Sequence, residues 1–125
     1  MRIVPARELE AIWPQVYRWI EKAVEHGQGD EDALDIAVAI YNGRYDLWLE
    51  DGKFAAVVQV VKHPKQTVAT ILYCGGELDS LLTMYSQAKE YARANKIDAI
   101  RVWGRQGWEK VLGMRRIGVI LQEYV

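Results

Sequence analysis

One stretch constrains this chain more than any other: Ala55-Ala56-Val57-Val58-Gln59-Val60-Val61, in which only Gln59 is polar. Valines dominate it, and an Asp51-Gly52 turn signal stands shortly before it. A strand whose side chains alternate apolar and polar can leave one face to water. A strand this uniformly apolar has to be covered on both faces. The chain must therefore supply helices for two sides of a sheet.

It has the patterns to do so. Over residues 7–25, Leu9, Ile12, Trp13, Val16, Tyr17, Ile20 and Val24 recur at helical spacing. Pro14 interrupts that stripe and cannot donate a backbone hydrogen bond, which predicts a kink or a fresh first turn there. His26-Gly27 ends the helix. Gly29-Asp30, followed by Glu31 and Asp32, restarts one with acids in the first turn, where the dipole favours them. Its expected buried face is Leu34, Val38 and Tyr41, and Asn42-Gly43 closes it. Over residues 77–95, Leu78, Leu81, Leu82, Tyr85, Ala88 and Ala92 restore helical spacing, with Leu81, Leu82 and Tyr85 expected against residues 56–61.

Between these lie the strands. Leu47 and Leu49 mark one, joined by the Asp51-Gly52 hairpin to residues 54–61. His63-Pro64-Lys65-Gln66 turns into a third at 67–73, after which Cys74-Gly75-Gly76 is read as a break. Residues 99–103 form a short strand, Gly104-Arg105-Gln106-Gly107 a loop, 108–112 a short helix and 117–124 a last strand. The order is β-α-α-β-β-β-α-β-α-β: an α/β (α+β) fold with a mixed, mostly antiparallel sheet and helices on both faces. A chain of 125 residues suits a single domain, 1–125.

That order, over the whole chain, resembles the GNAT-type N-acetyltransferases, and more closely the small GNAT-like proteins of tailed bacteriophages. The latter carry a Gly-Gly step before the central helix, an Ala-Lys pair late in it, and Gly-Arg-x-Gly-Trp after the next strand. Here those positions read Gly75-Gly76, Ala88-Lys89 and Gly104-Arg105-Gln106-Gly107-Trp108. The resemblance implies an accessory protein located in the cytoplasm of an infected cell or in the virion. The N-terminus, Met1-Arg2-Ile3-Val4-Pro5, has no apolar signal core, which fits an intracellular protein.

The resemblance also sets requirements for acetyl-CoA. Its pyrophosphate needs backbone N–H groups converging from a glycine-rich loop into a helix N-terminus. The family pattern is Gln/Arg-x-x-Gly-x-Gly/Ala. Laid on Gly76, it finds Tyr73 at its first position and Leu78 at its last, with the anionic Glu77 inside the loop. Cys74, Gly75 and Gly76 are the residues that would line a cofactor loop, and one position of three fits the pattern. A tyrosine usually protonates the departing thiolate, and the matching position is Glu109, with no tyrosine between Tyr91 and Tyr124. No cofactor is therefore expected, although acetyl-CoA stays open, and with it an active enzyme using Glu109 on an unknown amine. The first expectation is a non-catalytic interaction protein with a degenerate cofactor loop.

Composition removes other classes. A single cysteine, Cys74, leaves no internal disulfide framework, and with only His26 and His63 no metal site is expected. No apolar run approaches the roughly 18 residues that span a bilayer. The net charge is −1, yet residues 25–51 hold eight acids against Arg44 alone, a local −7. Residues 101–116 hold Arg101, Arg105, Lys110, Arg115 and Arg116 against Glu109, a local +4. Such separation suits a docking surface for a protein partner, and the basic stretch suits an acidic one. A pI near 6.1 and the lack of a reading motif argue against nucleic acid. Arg105, Trp103 and Trp108 are the candidate partner-binding residues, since arginine pairs well with carboxylates and tryptophan offers a broad apolar face. Oligomeric state is not legible here.

Overall fold

A computed structural model describes residues 1–104 and 107–125, with the backbone alone at Leu78. Strand β1 is Arg2–Ile3, and a 3-10 turn at Ala6–Glu8 leads into helix α1, Leu9–Val24. Helix α2 is Ala33–Tyr41, followed by β2 Asp46–Glu50, β3 Phe54–Lys62 and β4 Thr67–Gly76. A second 3-10 turn, Leu78–Ser80, opens helix α3, Leu81–Ala94; then come β5 Ala99–Val102 and α4 Gly107–Leu112. The strands form one sheet in the order β1-β2-β3-β4-β5. All neighbours are antiparallel except β4 and β5, which run parallel across the α3 crossover.

The two-sided burial demanded by the apolar strand is met residue by residue. Ala55 and Val57 of β3 face one core with Val16 and Ile20 of α1 and Ile36 and Ile40 of α2. Phe54, Ala56 and Val58 face the other core with Met84 and Ala88 of α3. Trp48, wholly buried, sits in this second core with its ring edge-on to Tyr91 at 5.2 Å.

Several expectations are corrected. Helix α1 begins at Leu9, after the 3-10 turn, and includes Pro14, so no fresh first turn starts there. The buried face of α2 is Ala33, Ile36, Ala39 and Ile40, while Leu34, Val38 and Tyr41 are exposed. Ile36 and Ile40 pack with Ala33 into the core shared with α1, which leaves Leu34, Val38 and Tyr41 on the opposite side of the helix. The helix starts after Glu31 and Asp32 rather than with them in its first turn: Asp32 is its N-cap, accepting from the Asp35 N–H at 2.8 Å, while the Asp35 carboxylate accepts from the Asp32 N–H at 3.0 Å. That backbone donation holds the Asp32 carboxyl below its usual range.

On α3 the inward residues are Met84, Ala88 and Ala92, with Leu81 packed beside them. Leu82 is exposed and Tyr85 half-buried under the Lys89 ammonium. Met84, four residues before Ala88, lies on the inward face where Leu82 was expected. The Cys74-Gly75-Gly76 step is no break: β4 continues to Gly76, pairing Gly76 with Phe54, Gly75 with Ala55 and Cys74 with Ala56.

The largest correction concerns the C-terminus. Residues 117–124 form no strand, and Ile117, Val119, Ile120, Leu121 and Tyr124 are all exposed. Strand propensity acts only through a neighbouring ladder, and no described strand accompanies this segment.

Candidate functional site

Strands β4 and β5 are paired only from Val68 with Ala99 to Ile71 with Val102. The Trp103 N–H reaches the Ile71 carbonyl at 3.1 Å, and the ladder ends there. At the same point β4 bulges, since Val57 pairs with Tyr73 and Val58 with Ile71, leaving Leu72 as the extra residue. Beyond it, residues 72–76 keep β3 on one side and have no described strand on the other. The two parallel strands thus part at the bulge.

The two glycines at the end of that stretch sit where the backbone and neighbouring side chains crowd them. A Cβ at Gly75 would lie 2.9 Å from the Trp19 Cβ and 3.0 Å from its carbonyl oxygen, so α1 rests directly on this residue. Gly76 adopts φ +136°, and a Cβ there would meet the Lys53 oxygen at 2.2 Å and the Phe54 Cα at 2.5 Å. The next N–H, that of Glu77, donates to the Lys53 carbonyl at 2.8 Å. Around the start of α3 a shallow cavity of about 220 Å³ is lined by the carboxylate residues Glu50, Glu77 and Asp79, with Lys53 the one basic residue. The N-terminal ammonium of Met1 donates to Glu50 at 2.6 Å and lowers its carboxyl below the usual range.

The other sequence candidates lie apart from this cavity's lining. Glu109 accepts from Arg116 at 2.9 Å, an ion pair with both side chains exposed. Trp108 is half-buried, its ring over Gly104, where a Cβ would come within 2.7 Å of the ring. Trp103 is exposed. Cys74 is half-buried beside the α3 core. Arg105 lies outside the described residues. Among the described residues no group of three or more His, Cys, Asp or Glu could hold a metal ion. No described helix is long and apolar enough to cross a membrane.

A polar cluster on the α1 side has no local signal in the sequence. Tyr45 and Tyr73 both donate to the Glu31 carboxylate, at 2.9 Å to its Oε2, from positions 14 and 42 residues away. Desolvation first, and then the hydrogen bond to Glu31, raise both phenols above their ordinary value, Tyr73 more strongly. A phenol that keeps its proton longer when folded contributes stability below the unfolded value of about 10, lost as pH rises past it. The melting temperature is therefore expected to fall as pH is raised above about 10. Tyr73→Phe should flatten that fall, whereas an equal fall in the variant would count against the coupling.

Neither a family model nor a curated protein sequence matches this chain. Solved structures do. A GCN5-related N-acetyltransferase from Ralstonia eutropha JMP134 aligns over 98% of this chain and 96% of its own, with a TM-score of 0.66 and 14% identity. An aminoglycoside acetyltransferase from an uncultured soil metagenomic sample, solved with sisomicin, covers 99% of this chain and 93% of its own at TM-score 0.66 and 10% identity. A possible acetyltransferase from Clostridium difficile 630 covers 99% and 95% at TM-score 0.65 and 10% identity. The chain has the GNAT fold.

Within the GNAT fold, the acetyl-CoA test is local. The residues at the head of α3 do not fit an anionic pyrophosphate: the Glu77 N–H is engaged by Lys53, and Glu50, Glu77 and Asp79 bring carboxylates to the cavity. Lys53 and the Met1 ammonium, the latter paired with Glu50, oppose three acidic side chains. Like charges at close range repel, and an engaged N–H cannot cradle a phosphate oxygen.

Proposed function

We propose that this chain is a non-catalytic GNAT-fold protein, a phage-encoded accessory factor that acts by holding a protein partner. The observation that carries this reading is the state of the α3 entrance, where the Glu77 N–H is bonded within the protein and three acidic residues line the cavity. Glu109, the residue at the usual proton-donor position, supports it as well, being bound to Arg116 on the surface. The Gly104-Arg105-Gln106-Gly107-Trp108 run is what supports the phage origin, with the infected cell's cytoplasm or the virion as its location. Trp103, exposed, and Trp108, half-buried over Gly104, lie within the basic stretch of the sequence, and with Arg105 they are the residues that suit an acidic partner.

A second reading, an N-acetyltransferase acting on an unknown amine, draws on one feature: β4 and β5 part beyond the pair of Ile71 with Val102, and residues 72–76 have no described strand on that side. Thermal denaturation with acetyl-CoA and with free CoA separates the two. A ligand raises the melting temperature only by binding the folded state. No shift at sub-millimolar concentrations of either is expected. A shift of several degrees would overturn the non-catalytic reading and favour the enzyme.

A further inference from the structure

We infer that the outward face of α2 docks a basic amphipathic helix from another protein. The inference goes beyond the reading above and does not rest on the basic stretch at residues 101–116. It starts from an excess of apolar surface. Leu34, Val38 and Tyr41 follow one another at spacings of four and three, so they form one stripe along the helix. They stand 70%, 52% and 67% exposed. The fold does not call on them, because the inward face of α2 is already complete in Ala33, Ile36, Ale39 and Ile40. A stripe of large apolar side chains on the outside of a packed helix suits cover by another molecule.

The helix that carries the stripe is held at both ends. Asp32 and Asp35 cap it reciprocally at its start. At its end the Arg44 N–H donates to the Ala39 carbonyl at 2.9 Å, and the chain turns through Gly43 at φ +79°. A face fixed before binding loses little conformational freedom when a partner arrives.

Charge selects the partner. Asp30, Glu31 and Asp35 gather at the start of α2, and with Val38 and Arg44 they line an open cavity of about 360 Å³. Among the described residues no lysine or arginine forms an ion pair with any of the three. Glu31 is held in place by Tyr45 and Tyr73, which both donate to its carboxylate. Arg44, 5.8 Å from the centre of the Tyr45 ring, is the one cation in the lining. A lysine or arginine on a partner helix can lay its methylenes along Val38 and set its charged head among the three carboxylates. The apolar side of that helix then covers Leu34 and Tyr41. A second copy of this chain fits less well, because two such faces oppose the same excess of acids.

Fluorescence anisotropy tests this with a labelled synthetic peptide of about 18 residues, leucines at helical spacing and lysines elsewhere. Binding on the order of tens of micromolar is expected at low salt. A peptide with the same leucines and glutamate in place of lysine should bind at least about tenfold more weakly. Leu34→Ser with Val38→Ser should weaken the lysine peptide by about tenfold or more, and leave circular dichroism unchanged because both side chains are exposed. Asp30→Asn with Glu31→Gln should weaken it too and reduce its salt dependence, since glutamine still accepts from the two phenols. No binding of the lysine peptide up to millimolar concentration would overturn the proposal. So would equal binding of the two peptides, or binding that the serine pair leaves untouched. A full chain that dimerises, and loses the dimer in the serine pair, would also overturn it by assigning the face to a second copy.

Discussion

Gly76→Ala is expected to cost about 4 kcal/mol or more, a large share of the stability of a domain of this size. Two effects act together at this position. The residue sits at φ +136°, a region that side-chain-bearing residues rarely adopt. The added methyl would also meet the Lys53 carbonyl oxygen and the Phe54 Cα, both backbone atoms of the paired strand. Neither can swing aside as a flexible side chain would, so relief requires β3 and β4 to separate at their ends. Gly52→Ala is the internal control. Its φ is +75°, but no atom lies within 4 Å of the added Cβ, so only the conformational penalty of about 1 kcal/mol applies. Urea denaturation of the two variants should separate them by several-fold in lost stability. Comparable losses would show that backbone conformation, and not the crowding by Lys53 and Phe54, dominates at Gly76.

The next largest effect is expected at Trp48. Its side chain is wholly buried in the α3 core, against Phe54, Ala56 and Met84 and edge-on to Tyr91. Truncation to alanine removes the largest fully buried side chain and leaves a cavity between sheet and helix, with an expected loss of roughly 3–5 kcal/mol. Trp48→Phe should cost far less. The indole Nε1 finds no acceptor among the described residues, so phenylalanine gives up ring volume but also removes an unpaired buried donor. Thermal melts should place the phenylalanine variant much nearer to wild type than to the alanine variant. At roughly 4 °C per kcal/mol for a domain of this size, the difference is easily read. A phenylalanine variant as unstable as the alanine one would mean that the indole N–H has a partner after all.

Much of the architecture was legible, because the uniform apolar strand admits few solutions. Ala55 and Val57 against one layer, Phe54, Ala56 and Val58 against the other, is the arrangement its composition demands. On α3, Leu81, Ala88 and Ala92 were legible as inward residues while Met84 was missed; the face of α2 was not legible, for a physical reason. Helix α2 is Ala-Leu-Asp-Ile-Ala-Val-Ala-Ile-Tyr, with Asp35 its only charged residue, so apolar spacing has no contrast from which to choose a face. The Gly75-Gly76 pair misled because glycine punctuates chains as often as it permits close packing inside a strand. Of the site, the charge separation and the poor match to a phosphate loop could be read directly from the residues. The Glu31, Tyr45 and Tyr73 cluster could not, since it joins positions that only the folded sheet brings together.

Leu72 has a consequence out of proportion to its size. Along β4, Ala69 and Ile71 face the α3 core, and strict alternation would send Tyr73 to the same side. Instead Tyr73 faces the α1 core and Cys74 the α3 core, because the one extra residue reverses the parity of everything after it. Tyr73 meets Glu31, and Gly75 fits under Trp19, only in this reversed phase. Deleting Leu72 would leave every later residue chemically unchanged and yet exchange inside for outside along the rest of the strand. The bulge thus works as an odd-even switch written into the chain by counting, and any lengthening or shortening of β4 must be even to keep it.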